Sequence, residues 1–225
     1  MKTEFKITYP FITSLIVVLS TFMVSCTNEE YELSKQAASS QIVCFESGLT
    51  ESDMDSVTDE ISNAIDFSTR SIGNELTEDE AMHILKPLAN DGKNLQKQIL
   101  YQKNELALSP DEVILVKGMT NDQLAEMSYA FNTIWDSGMT SQKIKGEDVV
   151  GCLLYATGIQ SLSDLARNGF EITSATNLYK GTKMLMTAKT ARQIITAFAK
   201  RAMGWVGVAW MVYDFSKCMK DKNNG

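Results

Sequence analysis

Between Arg201 and Asp214 the chain runs through twelve uncharged residues, Ala-Met-Gly-Trp-Val-Gly-Val-Ala-Trp-Met-Val-Tyr. Wound as a helix, the segment from Ala202 to Phe215 is apolar nearly all round, and such a helix belongs in a domain core or a membrane. Twelve residues make roughly 18 Å of helix, against about 30 Å of hydrocarbon in a bilayer. The length therefore favours a buried C-terminal helix around which the other elements pack. A membrane-active segment and a surface patch for a partner are the competing readings. Gly204 and Gly207, with Ala202 and Ala209, remove side-chain bulk from this helix. Each glycine weakens a helix by about 1 kcal/mol relative to alanine, a cost that close packing would offset.

Helix signals dominate the rest. A first helix is expected from Glu51 to Phe67, with Met54, Val57, Ile61, Ala64 and Ile65 on one face. Thr77-Glu78-Asp79-Glu80 is a capping box: the Thr77 hydroxyl accepts an early amide and Glu80 reaches back. The helix it opens carries Ala81, Ile84, Leu85 and Leu88. Pro87 predicts a kink, because its ring removes a backbone donor and crowds the preceding turn. Asp91-Gly92 is a candidate stop, although Leu95, Ile99 and Leu100 carry the apolar stripe on to Lys103.

Ser109-Pro110-Asp111-Glu112 opens another helix, with a serine cap, proline at the first helical position and acids against the positive dipole end. Thr120 opens the next, running towards Trp135 and stopping near Gly138. Shorter helices are expected from Glu147 to Ala156 and from Ser161 to Asn168. From Ser174 to Lys220 helical periodicity is nearly continuous, with breaks near Gly181 and Thr187. No Asn-Gly hairpin joins two alternating runs. The reading is an all-α, bundle-like domain over residues 49–225, built around the C-terminal helix.

Charge is uneven along the chain. Residues 27–80 hold fourteen acids against Lys35 and Arg70, whereas residues 180–225 hold nine Lys or Arg against Asp214 and Asp221. Opposite ends of one domain that pack together would neutralise each other. The other reading gives the basic end a membrane or an anionic polymer.

Ahead of this domain stand Lys2 and Lys6, an apolar stretch from Tyr9 to Val24, and Met23-Val24-Ser25-Cys26. The stretch is short for a spanning helix, which needs roughly twenty residues. The segment resembles bacterial lipoprotein signal peptides, with Met23 standing where leucine is commoner. That resemblance implies a signal peptide over residues 1–25, removed on export. Cys26 would become the lipidated first residue, carrying a diacylglyceryl thioether and a further acyl chain such as palmitate. Thr27-Asn28-Glu29-Glu30 resembles the acidic signal that sends Bacteroidota lipoproteins to the outer face of the outer membrane, the alternative being a periplasm-facing anchor. Asp55-Ser56-Val57 is similar to the short O-glycosylation motif of that phylum, which makes Ser56 a candidate acceptor. Residues 26–48, polar and serine-rich, read as a flexible tether.

Export also bears on the other cysteines. Cys152 and Cys218 both fall in apolar helices, and an oxidising compartment permits a bridge between them. Two buried thiols are the alternative. Cys44 is left odd.

Catalytic furniture is sparse. The one histidine, His83, has Asp79 and Glu80 on its own helix, an arrangement too thin for a metal site and with no elbow motif to mark a nucleophile. Asp53, Asp55, Asp59 and Glu60 lack the central glycine and spacing of a calcium loop. No phosphate-cradling loop is present, and a net charge of −7 disfavours nucleic acid. The expectation is therefore no catalytic residue, no metal and no cofactor. The chain reads as a lipid-anchored module that binds a protein or envelope polymer. A membrane-active protein using the C-terminal helix and a glycan or cell-wall hydrolase are the alternatives.

Overall fold

The computed structural model describes residues 41–70, 75–139, 146–159, 172–178 and 181–224. In chain order these form β1 (Ile42–Ser47), α1 (Glu51–Arg70), α2 (Glu78–Tyr101), α3 (Pro110–Lys117), α4 (Asn121–Met139), α5 (Gly146–Thr157), β2 (Ile172–Leu178), β3 (Gly181–Thr187), α6 (Ala188–Ala199) and α7 (Gly204–Asn224). The fold is mainly helical, as the periodicity predicts, with one small antiparallel sheet in the order β1-β3-β2. The expected helix from Ser161 to Asn168 and the signal segment lie outside the described residues.

The helix starts follow their caps. Thr77 and Ser109 accept the amides of Glu80 and Glu112, whose carboxylates return to the cap backbone, so both boxes are complete. These bonds hold the Glu80 carboxyl below its usual range. At Glu112, burial pushes upward, but the Ser109 amide and the paired Arg192 outweigh it and the carboxyl is lowered.

Pro87 does not end α2, which runs unbroken from Glu78 to Tyr101. Proline and His83, whose carbonyl loses its usual donor, both lie on the exposed side, where water can satisfy that carbonyl. Asp91-Gly92 is no stop either, because both residues are buried against α4. A Cβ on Gly92 would sit 2.1 Å from the Leu124 carbonyl oxygen. Only glycine lets α2 and α4 approach this closely.

The sheet corrects two sequence expectations. Within the stretch from Ser174 on that reads as helical, with breaks near Gly181 and Thr187, the chain instead forms β2 and β3, which pair antiparallel. Met184, Leu185 and Lys183 are adequate helix formers, and a short apolar run cannot be told from a buried strand by periodicity alone. Here β3 lies between two partners and turns Met184 and Met186 into the core. The tether boundary also moves. Ile42–Ser47, assigned to the tether, pairs with β3 and buries Val43 and Phe45, the latter edge-on to Phe131.

The outer edge of β1 is closed by α2. Gln102 accepts from the Cys44 amide and donates to its carbonyl, and Gln98 does the same for Glu46. Two residues of strand and four of helix both advance about 6–7 Å, so glutamines at this spacing match alternate strand residues. Two turns before Gln98, Asp91 accepts from the Gly48 amide, the Ser128 hydroxyl and the Asn132 amide. It thereby joins β1, α2 and α4.

The C-terminal helix α7 packs against α1, α2, α4 and α5. It buries Val208, Ala209, Met211, Val212 and Phe215, while Trp210 on the opposite face is 39% exposed. Among the described residues no helix is long and apolar enough to cross a membrane. The acidic α1 does pack on the basic C-terminal helix, where the Tyr213 hydroxyl donates to Asp66. The cations of the C-terminal third also pair elsewhere: Arg192 with Glu112, Arg201 with Glu126 and Lys222 with Asp148.

Candidate functional site

The residues singled out in the sequence do not converge. Cys26 lies outside the described residues. Ser56 is exposed on α1 and donates to Glu60 one turn on, while the adjoining Val57 is in the core. His83 is exposed, and its neighbour Glu80 is committed to the Thr77 cap. Among the described residues no group of three or more His, Cys, Asp or Glu could hold a metal ion.

Cys152 and Cys218 are bonded, with Cα atoms 5.6 Å apart, so the expected bridge is present and staples α5 to α7. Cys44 is disulfide-bonded as well.

A different set of residues does converge, where five helix ends meet. The first turns of α2, α4 and α7 and the last turns of α5 and α6 surround the linker Lys200–Met203. Gly204 starts α7 with φ of +70°, a left-handed conformation suited to glycine. Its amide donates to Asp122 of α4, and the Trp205 amide donates to Glu78 of α2. Two acids from other helices thus cap the positive end of α7.

Gln123 serves both sides of the junction. Its carbonyl oxygen accepts from the Thr120 amide and hydroxyl, closing the start of α4, and its amide donates to the Arg201 carbonyl. The Arg201 guanidinium in turn donates to the Thr157 carbonyl at the end of α5, the negative pole of that helix.

Behind the linker lies Glu126, with a side chain at 0% exposure. Its nearest cation is Nε of Arg201, 3.5 Å away, and neither carboxyl oxygen has a hydrogen bond. Burial pushes the carboxyl up to about 7, with Arg201 opposing and Asp122 reinforcing the shift. A carboxyl sealed in this way meets no solute, so its chemistry is confined to gaining or losing a proton. Sequence patterning passes over Glu126 because it lies among Leu124, Ala125 and Met127 in one helical turn. The available signal was the charge itself, placed inside an otherwise apolar run.

Comparison with family models, curated proteins and solved structures finds no match to this chain.

Proposed function

We propose that the protein is an exported lipoprotein whose helical domain is a non-catalytic binding module at the cell envelope. Cys26 would anchor it to the outer membrane, with the domain facing outward. The single observation that carries this reading is Met23-Val24-Ser25-Cys26 after a short apolar stretch, with acids following at once. The Cys152–Cys218 bridge in the domain interior accords with an oxidising compartment. Several acyl chains would hold firmly, since each buried methylene contributes about 0.8 kcal/mol. The partner would be a protein or an envelope polymer, met without a cofactor.

Intact cells provide the test. A surface module is digested by added protease while still membrane-bound, and Cys26→Ala releases it from the membrane. Full protection would turn the domain towards the periplasm. The sulfur chemistry gives an independent check. A sulfur carries a thioether or a disulfide but not both, and Cys152 and Cys218 hold each other, so lipidation of Cys26 requires the Cys44 disulfide to reach a cysteine of another chain. Non-reducing peptide mass analysis of the membrane-extracted protein should find an acylated N-terminal Cys26. A Cys26–Cys44 cross-linked peptide would overturn the anchor.

A further inference from the structure

We propose that Glu126 and Arg201 form a proton-operated latch on the Lys200–Met203 linker: opening the linker hydrates the Glu126 carboxyl and releases one proton, so the latch is tight at acid pH and loosens towards neutrality. The geometry argues as follows. An ionised carboxylate needs donors to replace its lost hydration, and Glu126 has none within hydrogen-bond reach. Its one cation stands at 3.5 Å and already gives a guanidinium donor to Thr157. Protonation removes the charge that the site cannot solvate. Ionisation leaves the protein to admit water or to open.

The linker covers Glu126 through Arg201 and itself meets solvent. Lys200 and Ala202 are exposed and Arg201 is half-buried, whereas the rest of α4 from Gln123 to Asn132 is enclosed. The linker is held by a few polar bonds: the Arg201 amide to Phe198, its carbonyl from Gln123, its guanidinium to Thr157, and the Gly204 amide to Asp122. Opening also frees Met203, the linker's one apolar side chain packed against the core, and water can replace each of the polar bonds. The charges acting on Glu126 are Arg201 from the linker and Asp122 from α4 itself. Of the other elements at the junction, α2 brings Glu78 to the Trp205 amide, α5 brings the Thr157 carbonyl and α6 the Ala199 carbonyl.

The direction of the effect follows from linkage. The carboxyl's affinity for a proton is raised in the closed state, so the open state binds fewer protons at pH above the ordinary glutamate range. Opening is therefore favoured as pH rises from about 4.5 and levels off near 7. Within that window one released proton corresponds to about a tenfold increase in the opening constant per pH unit.

Hydrogen exchange of the full mature chain, read over residues 199–206 and corrected for intrinsic rates, tests the latch. The wild type should lose protection about tenfold per pH unit between roughly pH 5 and 7 and then level off. Glu126→Gln should be uniformly protected. His83→Gln, which removes the chain's one histidine, should keep the transition. Persistence of the transition in Glu126→Gln, or a flat wild-type profile, would overturn the proposal. Should Glu126→Gln not fold, carbon-13 NMR of the wild-type carboxyl decides instead: Glu126 must titrate in step with exchange, and a carboxylate ionised throughout pH 5 to 8 sinks the latch. None of these readouts involves the anchor or a partner, so the latch stands or falls apart from the envelope reading.

Discussion

Two helices occupy the middle of this domain, and they reach it by opposite routes. The apolar α7 advertises burial in its sequence, yet it buries one face and leaves Trp210 partly open to solvent. The other, α4, carries Gln123, Glu126, Ser128 and Asn132, and every residue from Gln123 to Asn132 is buried. Hydrophobic content alone does not rank the two. A polar side chain is admitted to a core when a partner waits for it, and Asp91, the Arg201 carbonyl and the Ser128 carbonyl are such partners. Glu126 differs from these, with an ion pair to Arg201 at 3.5 Å but no hydrogen bond.

The largest expected effect tests what holds α7. Replacing both Cys152 and Cys218 by alanine opens a cross-link between positions 66 residues apart, which the chain-entropy relation values at about 4 kcal/mol. Urea denaturation measures it. A loss below about 1 kcal/mol would mean that the apolar face of α7 suffices without its staple.

The same measurement tests the enclosure of α4. Gly92→Ala gains helix propensity but drives a Cβ into the Leu124 backbone, so α2 and α4 must separate. The expected cost is about 3 kcal/mol, near the upper end for overpacking. A neutral or stabilising result would show that the helices have room to spare.

Next comes pH. Stability should fall as pH rises from about 4.5 to about 7, because Glu126 binds its proton more tightly when folded, with a size on the order of 3 kcal/mol. The opposite slope belongs to Glu80, Glu112 and Asp53, whose lowered carboxyls contribute stability above the ordinary carboxylate range and lose it on acidification. Urea midpoints between pH 3 and 8 should therefore peak near pH 5. Glu126→Gln should abolish the decline above the peak and leave the acid side unchanged.

The smallest effect belongs to the outer face of α7. Trp210→Ala removes an edge contact to Tyr213 and the covered part of a ring that is 39% exposed, for a loss of about 1–2 kcal/mol. A loss as large as that of Gly92→Ala would show that this face is a second core.

Much of the helical framework was legible. The box at Thr77, the serine cap at Ser109, the helix from Glu51 and the pairing of Cys152 with Cys218 follow from local chemistry or from a compartment inferred at the N-terminus. Boundaries failed where a distant contact decided them. Asp91-Gly92 looks like a stop until Leu124 of another helix lies against it. Ile42–Ser47 looks like tether until β3 offers it hydrogen bonds. The junction was not legible as a site, although the helix starts at Thr77 and Thr120 were, because Glu78, Asp122, Thr157 and Arg201 are far apart in the chain.

By itself the sequence determined the helical class, the caps that start α2 and α3, and the apolar character of α7, because these depend on groups within a turn or two of one another. The tertiary structure alone decided that β2 and β3 stand where helix was expected from Ser174 to Thr187, that α4 is enclosed from Gln123 to Asn132, and that a carboxyl lies buried without a hydrogen bond. Each of those outcomes depends on backbone and side chains brought together across the chain, and no local pattern records the company a residue will keep.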